Sequence, residues 1–458
     1  MIRFLLVSGV LAGIYIFIGG PYLWLAFLYC FLVYLSFDLA FTLTFPWDCL
    51  IFETCFIAIF LPDLPLLPEW VGTTLPHPAI SFLYLWLLFR LLFGFGKTKF
   101  SKSNWKDSGY FRGFLHNIPL PSRLVKYLYK APDFLFLFFL WYAFWVEIIV
   151  PFMIFVPGLP RVIGAVSIIV LMIGIQALAN FGYFNILAAL LAFTLFDHQA
   201  ALWNEWPIHF TQGENIGMHL LLGFYIVGGL VSLPFNSWCA STWMYWPSDM
   251  HIRFLPLRWI VSFLRVISRW RLIHAFGVFP PKGQPCMKLV LIIEGSHDAA
   301  IWKPYHYKYQ LSHPNDKLYF IAPYHPRFDH NMFYLNTGVN DSNFLSSIIG
   351  SCVPYDFSRR GDIDYLVNGI LEGRLGINKY FEKAPFSETN PPTWVRAGQY
   401  WFEPNLSKDK NATGNKWQMY LGDIHKMPSK YDKNIAIHKN VYPELFHWDM
   451  HYWKMRTR

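Results

Sequence analysis

The sequence predicts a multi-pass α-helical membrane domain followed by a β-rich (α+β) soluble C-terminal domain. Only 15% of the 458 residues are charged and 54% are hydrophobic, whereas a soluble domain carries roughly 25% charged residues. The charges are also unevenly placed: residues 1–280 hold 16 Lys/Arg and 12 Asp/Glu, and residues 281–458 hold 22 Lys/Arg and 17 Asp/Glu. This division excludes a single water-soluble globule, a disordered chain and a disulfide-stapled secreted module.

Eight apolar stretches in the first part are candidates for membrane spans. They cover residues 3–19, 21–44, 47–60, 80–95, 134–156, 162–179, 183–196 and 216–233. The stretches 47–60 and 183–196 are short for a crossing, so we expect them to be re-entrant, or oblique and buried against their neighbours. We therefore predict six to eight spans within residues 1–250.

Two stretches of the chain are strongly basic. Residues 97–130 hold eight Lys/Arg against one Asp, and residues 253–271 hold five Arg and no acid. In the second stretch apolar residues repeat at helical spacing, with Arg258, Arg265 and Arg269 towards another face. That pattern is typical of an amphipathic helix lying in the membrane interface. We assign residues 251–280 to an interfacial junction.

Residues 281–458 are predicted to form the β-rich domain. Strand patterns cover residues 287–294, 302–309, 393–402 and 416–421, and helical patterns cover 343–349 and 363–371. Residues 302–309 alternate Tyr305 and Tyr307 with polar residues, as a half-buried strand does. We expect a turn at residues 295–298 and a hydrophilic hairpin loop at 405–415.

A candidate intramembrane polar site comprises Asp48, Glu53, Arg90, Glu147, Asn180 and Asn185. Ionisable groups inside a membrane are costly, and they usually line a polar cavity or pair with an opposite charge. Alternatively, Asp48 caps the helix that follows it, and Asp48 and Glu53 both lie at headgroup level. For Glu147 we expect a structural ion pair with Arg90 or Arg161, with a catalytic acid as the alternative.

The run from Asn180 to Asn185 places Gly182 between polar and aromatic residues, in the middle of about forty apolar ones. We interpret it as a turn between two spans. The alternative is an unwound joint, whose freed backbone groups need side-chain partners.

His325, Arg327 and Asp329 alternate along residues 322–329 and form a candidate motif of the C-terminal domain. They could act as a charge relay, but no Ser or Cys nucleophile in a recognisable elbow accompanies them. Nearby prolines favour a rigid bend, with Asp329 capping a helix over residues 330–335.

Three sequons make Asn340, Asn405 and Asn411 candidates for glycosylation. Cys286 and Cys352 could pair in an oxidising compartment. No spacing indicates a metal site, and no cofactor loop is visible.

The residues from about 40 to about 425 resemble, in order, the lipase maturation factor family. The matching stretches in the membrane domain are Pro46-Trp47-Asp48, then residues 53–60, 88–94, 146–152 and 180–185. Those in the C-terminal domain are 294–298 with Trp302, 322–329, 391–396 and 417–422. Glu294 joins the candidate C-terminal motif through this resemblance. Each motif is too short to identify the family alone. Their occurrence in the same order along the chain is what makes the resemblance specific.

The resemblance implies an endoplasmic-reticulum membrane protein that helps secreted lipases fold, assemble into active homodimers and be secreted. It places the C-terminal domain in the lumen and implies no catalytic residues, so none is assigned. Family members carry a further span ahead of the first one here, which leaves the N-terminal orientation open. The implied partners are lipase clients and membrane lipid. Nucleic acid is excluded because no binding fingerprint is present.

We expect an aromatic client surface that includes Tyr305, Tyr307, Trp394, Tyr400 and Trp401. Charge bias conflicts with a lumenal C-terminal domain, because a cytoplasmic stretch 97–130 followed by four spans returns the chain to the cytoplasm. One short segment that fails to cross would reconcile the two.

The alternative function is a membrane-embedded enzyme that acts on a lipid or quinone through intramembrane carboxylates. Carboxylates converging on a lipid-accessible cavity would favour it, and pairing with Arg90 or Arg161 would not. A transporter is disfavoured, because no inverted repeat is visible.

Overall fold

Helices make up the first part of the chain. The computed structural model describes residues 2–41, 45–61, 77–99, 108–196, 216–233, 259, 262–263, 270–277, 288–330, 332, 360–405, 416–421 and 451–454. The helices are α1 (Ile2–Ile18), α2 (Leu23–Phe41), α3 (Pro46–Ala58), α4 (Pro78–Lys99), α5 (Ser108–His116), α6 (Val125–Leu128), α7 (Asp133–Phe144), α8 (Val150–Met153), α9 (Leu159–Leu178), α10 (Phe184–Phe193) and α11 (Ile216–Ser232). Each of the eight predicted apolar stretches overlaps one or more of them.

Within the described residues, four helical stretches are long and apolar enough to cross a membrane: Leu23–Ala40, Pro78–Lys97, Asp133–Met153 and Leu159–Leu178. The shorter apolar helices are Ile2–Ile18, Phe184–Phe196 and Ile216–Ser232. α3 is also short, and its Leu50, Phe52 and Ile57 are buried as expected for a segment packed against neighbours. The range of six to eight spans stays a prediction.

The core of the membrane domain is built around α4. Of its spanning window, 89% is buried, against 33% for the windows in α2 and α9. Leu87, Leu88 and Leu91 are fully buried, within a cluster that draws on α3, α8, α9, α10 and α11. By contrast, α1 has no buried residue. Its apolar side chains face outwards, as lipid contact allows.

A π-helical turn, Trp145–Ile149, separates α7 from α8. Proline has no N–H to donate and its ring clashes with the carbonyl four residues earlier. Pro151 therefore donates no hydrogen bond to the Glu147 carbonyl. The N–H of the preceding residue, Val150, donates to the Trp145 carbonyl five residues earlier, which is the π-helical pattern. The turn widens the helix at the one carboxylate of this segment, Glu147.

The chain from residue 270 to 277 enters the helical domain. Ile273, His274, Ala275 and Phe276 are each buried to 4% exposure or less. Gly94 on α4 permits this contact, because a Cβ there would lie 2.4 Å from the Phe276 carbonyl oxygen. The rest of the predicted interfacial helix is outside the described residues except for exposed Trp259 and Phe263 and a few neighbours.

The C-terminal domain contains a five-stranded and a two-stranded antiparallel sheet. Its strands are β1 (Lys288–Ser296), β2 (Lys303–Pro304), β3 (His306–Tyr307), β4 (Phe381–Lys383), β5 (Trp394–Pro404), β6 (Trp417–Leu421) and β7 (His451–Lys454), and its long helix is α12 (Arg360–Leu371). The larger sheet has the order β2-β1-β5-β6, with β7 also paired to β5. β1 and β5 pair along their whole common length, from Lys288↔Phe402 to Ser296↔Trp394.

These strands confirm the patterns at residues 287–294, 393–402 and 416–421, and α12 confirms the helix at 363–371. β5 and β6 pair as the predicted hairpin, whose base is closed by a bond from the Asn405 N–H to the Lys416 carbonyl, 2.9 Å. Residues 302–309 form two short strands, β2 and β3, rather than one. The helix predicted at 343–349 is outside the described residues.

The expected aromatic client surface is wrong. Tyr305, Tyr307, Tyr400 and Trp401 are 1%, 2%, 7% and 3% exposed, and Trp394 is partly buried. The physical reason is that both faces of the sheet are covered: residues 290–293 of β1 are all buried, although successive strand residues point to opposite faces.

One apolar core joins the C-terminal domain to the membrane domain. It combines Leu115, Tyr129 and Ala179 with Val290 on β1 and Val367 on α12. Lys288 Nζ is buried at this interface and donates to the carbonyls of Ile118 and Pro119, at 2.5 and 2.7 Å. The C-terminal domain therefore lies on the same side of the helices as residues 108–131, the described connection within the basic stretch. We expected one short segment not to cross the membrane, which would leave the C-terminal domain on the opposite side from the basic stretch. The contacts at Ile118 and Pro119 contradict that expectation.

Candidate functional site

The candidate intramembrane site and the candidate C-terminal motif meet at Asp48 and Arg327. The two Nη atoms of Arg327 donate to Oδ2 and Oδ1 of Asp48 at 3.0 and 2.7 Å, a two-point pair across 279 residues of sequence. The Asp48 side chain is 1% exposed and that of Arg327 is 35% exposed. Tyr34 also donates to Asp48 Oδ1 and lies 2.8 Å from the Tyr183 hydroxyl. We call Asp48, Arg327, Tyr34 and Tyr183 the junction cluster.

The start of α3 fixes the carboxylate of this cluster. Pro46 occupies the first turn, where its missing N–H costs nothing. Asp48 lies two residues later, and its Oδ2 accepts the Phe45 N–H at 3.1 Å. A helix N-terminus favours negative charge. Asp48 thus has a capping role, but as the third residue of α3 rather than ahead of the helix as predicted, and the same carboxylate also holds Arg327.

Two histidines and two aromatic residues pack beside the junction cluster. His325 Nε2 lies 2.7 Å from His330 Nδ1. The Trp47 ring is 4.5 Å from that of His325, and the Phe45 ring stacks on His330 at 4.8 Å. Burial, with a smaller effect of the Arg327 charge, lowers the pKa of His325 to about 3. Burial also holds the pKa of His330 well below its ordinary value, so both rings are neutral at physiological pH.

Asn180 forms a second bridge between the domains. Its Oδ1 accepts the N–H groups of Ile321 and Ala322 at 2.9 and 3.2 Å, and its Nδ2 donates to the Tyr319 carbonyl at 2.9 Å. The residue follows α9 in the turn that leads to α10, where Gly182 has the positive φ of 61°. The predicted turn is confirmed. The Asn180 side chain bonds to backbone groups of the C-terminal domain, besides a neighbouring backbone carbonyl in the membrane domain.

Glu53, Arg90 and His274 form a separate cluster inside the helical domain. Arg90 donates to both Glu53 oxygens at 2.8 and 2.9 Å and to the His274 carbonyl at 2.7 Å. The backbone N–H of His274 donates to Glu53 Oε1 at 2.7 Å. All three side chains are at most 1% exposed. These bonds offset part of the cost of removing the ion pair from water, although Arg90 Nε and His274 Nε2 are buried without a hydrogen-bond partner among the described residues.

Glu147 pairs with Lys99, at 2.5 Å between Oε1 and Nζ. The expected partners, Arg90 and Arg161, are wrong for a physical reason. Arg90 is held by Glu53, and Arg161 Nε donates to the Ile154 carbonyl at 2.7 Å. Lys99 lies at the end of α4, next to the π-helical turn that carries Glu147.

The remaining candidates have local partners. Asn185 donates to Gln176 Oε1 at 2.9 Å. Glu294 accepts from Arg396 and Tyr400 across the sheet, at 2.7 and 3.0 Å. Asp329 lies inside a helical turn that begins at residue 327.

The predicted capping of a following helix by Asp329 is wrong. Its Oδ1 accepts the N–H groups of Tyr309 and Gln310 at 2.9 and 3.2 Å. The carboxylate therefore orders an earlier loop rather than the helix that comes after it. Asn340, Asn411, Cys286 and Cys352 are outside the described residues.

Several partners were missed by sequence reasoning. Tyr34 belongs to the junction cluster, His274 to the cluster of Glu53 and Arg90, and Lys99 to the pair with Glu147. Asp38 on α2 pairs with Arg271 at 2.6 Å. Asp38 carried a usable signal, because it is an acid in the middle of an apolar stretch. His274 carried none, since it lies in a segment whose sequence indicated an interfacial helix.

The chain resembles known proteins along most of its length. Residues 1–203 match a family model described as the lipase maturation factor transmembrane domain, and residues 272–353 match the lipase maturation factor C-terminal domain. Lipase maturation factor 1 of Mus musculus and of Homo sapiens are each 23% identical over 82% of this chain and 64% of their own length. Lipase maturation factor 2 of Gallus gallus is 21% identical over 82% of this chain and 63% of its own length.

The chain thus spans about 64% of the length of the curated relatives it matches. No solved structure matches it. The two family models follow one another in the expected order, the first on the helical part and the second from the buried segment at residue 272 onwards. The chain belongs to the lipase maturation factor family.

Proposed function

We propose that this protein assists the folding, dimer assembly and secretion of lipases from the endoplasmic-reticulum membrane. The observation that carries the proposal is the ordered match of both family domains on one chain. The geometry supports it: the junction cluster and Asn180 fix the C-terminal domain rigidly to the helices. The clients are lipases, and the membrane domain holds the C-terminal domain at the site where they fold.

The exposed aromatic side chains of the C-terminal domain are the candidates for client contact. Tyr319, Phe320, Tyr324 and Tyr380 are 42%, 50%, 60% and 50% exposed. Three of them lie in the loop that Asn180 anchors. They replace the predicted set, of which four residues are buried and Trp394 is partly buried. Exposed apolar surface is what a helper needs to bind a chain that has not finished folding.

A truncation tests the proposal in cells that lack their own lipase maturation factor. Removal of residues 281–458 leaves His274 in place, so the Glu53 cluster stays complete. We expect the full chain to restore secreted lipase activity and the truncated chain to restore none. The control is recovery of the truncated chain in the membrane fraction. Normal lipase activity with the truncated chain overturns the proposal.

We propose a lumenal C-terminal domain, as the family resemblance implies. Because the C-terminal domain contacts the segment at Ile118 and Pro119, this orientation places residues 108–131 in the lumen too. The positive charge of that segment then opposes the usual preference for cytoplasmic Lys/Arg. The shared core and the bonds from Lys288 hold this segment against the C-terminal domain on whichever side of the membrane it lies.

The alternative of a membrane enzyme that acts through converging carboxylates loses its support. Asp48, Glu53 and Glu147 are held by Arg327, Arg90 and Lys99 respectively. Each carboxylate therefore belongs to a different ion pair, and Glu53 has the Arg90 partner that argues for a structural role.

A further inference from the structure

An apolar cavity of about 490 Å³ lies between α5, α6, α7 and α9. Its walls are almost entirely hydrocarbon and aromatic, contributed by residues such as Phe111, Phe114, Phe139 and Leu171. Small-molecule sites in proteins usually have volumes of roughly 300–1,000 Å³ and walls of this kind. The cavity is separate from the junction cluster and from the Glu53 cluster, and neither the family names nor the proposed function gives it a role.

The mouth of the cavity is on the lipid-facing side of the helices. Phe138 on α7 and Val170 on α9 line the cavity and are 60% and 51% exposed, and both lie within helices that can span the membrane. Tyr127 on α6 lies at the rim and is 69% exposed. An aromatic hydroxyl at such a rim suits the boundary between lipid and water. A lipid can therefore enter laterally from the membrane.

The Lys99–Glu147 pair supplies the polar part of the cavity wall. The Glu147 side chain is 4% exposed. Its Oε1 accepts from Lys99, whereas its Oε2 is buried and has no hydrogen-bond partner in the described parts of the chain. A buried carboxylate oxygen without a donor is unfavourable, so this atom calls for a ligand that donates a hydrogen bond.

The occupant follows from these properties. A methylene group is about as large as a water molecule, about 30 Å³, so the cavity holds on the order of 16 of them, one acyl chain rather than two. The ion pair is neutral as a whole, so it favours an uncharged headgroup over an anionic or cationic one. A hydroxyl group can donate to Glu147 Oε2 once the side chain turns that oxygen towards the cavity, because the atom has almost no accessible surface in the present arrangement. We propose that the cavity binds a single-chain, uncharged, hydroxyl-bearing lipid of the monoacylglycerol class, with a headgroup hydroxyl on Glu147.

The first test compares three oleoyl lipids on the unmodified full-length protein in detergent micelles. Tritiated monooleoylglycerol is bound at equilibrium and displaced by unlabelled monooleoylglycerol, methyl oleate or oleate. We expect monooleoylglycerol to compete at least about tenfold better than methyl oleate, which has the same chain and no donor. Equal competition by methyl oleate, or stronger competition by oleate, overturns the assignment.

The second test fills the cavity. Gly174 lines it, and nothing lies within 4 Å of the position of a Cβ at that residue. Gly174→Phe is expected to weaken monooleoylglycerol binding at least about tenfold. The matched control is Gly223→Phe on α11, which also has open space at its Cβ and is outside the cavity. Unchanged binding by Gly174→Phe overturns the cavity as the site.

The third test isolates the polar contact. The double variant Lys99→Met/Glu147→Met replaces a buried ion pair by apolar residues of similar volume, which proteins often tolerate. We expect it to bind methyl oleate and monooleoylglycerol equally. A preference for monooleoylglycerol that survives in this variant overturns the role of Glu147. The comparison on unmodified protein remains decisive if either variant fails to fold.

Discussion

At the scale of single residues, Asp48 performs two tasks at once. It accepts the Phe45 N–H at the start of α3 and binds Arg327 of the other domain through two hydrogen bonds. The helix start holds the carboxylate in one orientation before Arg327 arrives. Little side-chain entropy is then lost when the domains meet, and the geometry of the junction follows from a local helix signal.

Arg327→Met is expected to destabilise the protein by about 1–3 kcal/mol, because Asp48 stays buried without its cation. The expected cost is below that of a fully buried pair, since Arg327 is 35% exposed. The measurement is the thermal unfolding midpoint in detergent. The control is Arg374→Met, which removes a pair that is 38% and 55% exposed and costs at most about 1 kcal/mol. Equal midpoints for the two variants would argue against the junction cluster.

His325 contributes a pH dependence to the stability of the protein. Its pKa is about 3 in the folded protein and about 6.5 in an unfolded chain. Above pH 6.5 the ring is neutral in both states and the contribution to stability is full. Below pH 6.5 His325 is protonated in the unfolded chain but stays neutral in the folded protein. Stability is then lost towards pH 3, at no more than about 1.4 kcal/mol per pH unit for this proton.

Burial is the main cause that lowers the pKa values of His325 and His330, and the charge of Arg327 adds to it on both rings. The neighbouring His325 and Lys288 add to it on His330. We expect the unfolding midpoint to fall between pH 7 and pH 5, and His325→Asn to flatten that fall. Unfolding curves of both proteins across this range test the point. Parallel curves would assign the pH dependence to other groups.

At the scale of elements, the close contact between α4 and residues 272–277 depends on Gly94. A Cβ at that position meets backbone atoms of Phe276, at 2.4 and 2.8 Å, which cannot move aside as a flexible side chain can. Gly94→Ala is therefore expected to push the segment away from α4 and destabilise the protein by about 1–3 kcal/mol.

Gly174→Ala is the matched control on α9, because its Cβ meets open space. Replacing glycine by alanine inside a helix stabilises it by up to about 1 kcal/mol. The two changes should thus move the unfolding midpoint in opposite directions. A midpoint that rises with Gly94→Ala would mean that the buried segment is not held against α4.

The elements were predictable to different degrees. Apolar length and period identified the apolar helices and the strands β1, β5 and β6, because those signals are local. They did not identify α5 and α6, which lie in the basic stretch. The burial of Tyr305, Tyr307 and Tyr400 was not predictable, since a strand that alternates aromatic and polar residues does not tell which face is covered. The same limit applies to residues 270–277, whose basic and aromatic neighbours indicated an interfacial helix.

At the scale of the whole molecule, the connections between helices assign each segment to a side of the membrane. Residues 108–131 and the turn at 179–183 contact the C-terminal domain. The connection at residues 154–158, between α8 and α9, lies at the other end of both helices. The fold therefore predicts one side for residues 123 and 375 and the opposite side for residue 156.

Cysteine substitutions at three exposed positions test this arrangement in sealed membrane vesicles: Arg123, Val156 and Leu375. A membrane-impermeant thiol reagent should label Arg123→Cys and Leu375→Cys from one side and Val156→Cys from the other. Labelling of positions 123 and 375 from opposite sides would contradict the contact between the two domains.

The residues of the candidate site could be predicted from the sequence, but their ion-pair partners could not. Asp48, Glu53, Arg90, Glu147 and Asn180 all stand out as polar residues in apolar sequence, and each is buried and bonded. The partners could not be read from one sequence, because Arg327 is 279 residues from Asp48. Lys99 appeared to belong to a basic loop, and only the end of α4 brings it to Glu147.

The bond between Arg90 and the His274 carbonyl also has a consequence for the time course of synthesis. The two residues are 184 apart in sequence, so His274 leaves the ribosome roughly 10–40 s after Arg90 at about 5–20 residues per second. Glu53, only 37 residues from Arg90, can neutralise that cation in the meantime. The cluster inside the helical domain thus stays incomplete until residues 270–277 are made. The segment that completes it is the one that leads into the C-terminal domain.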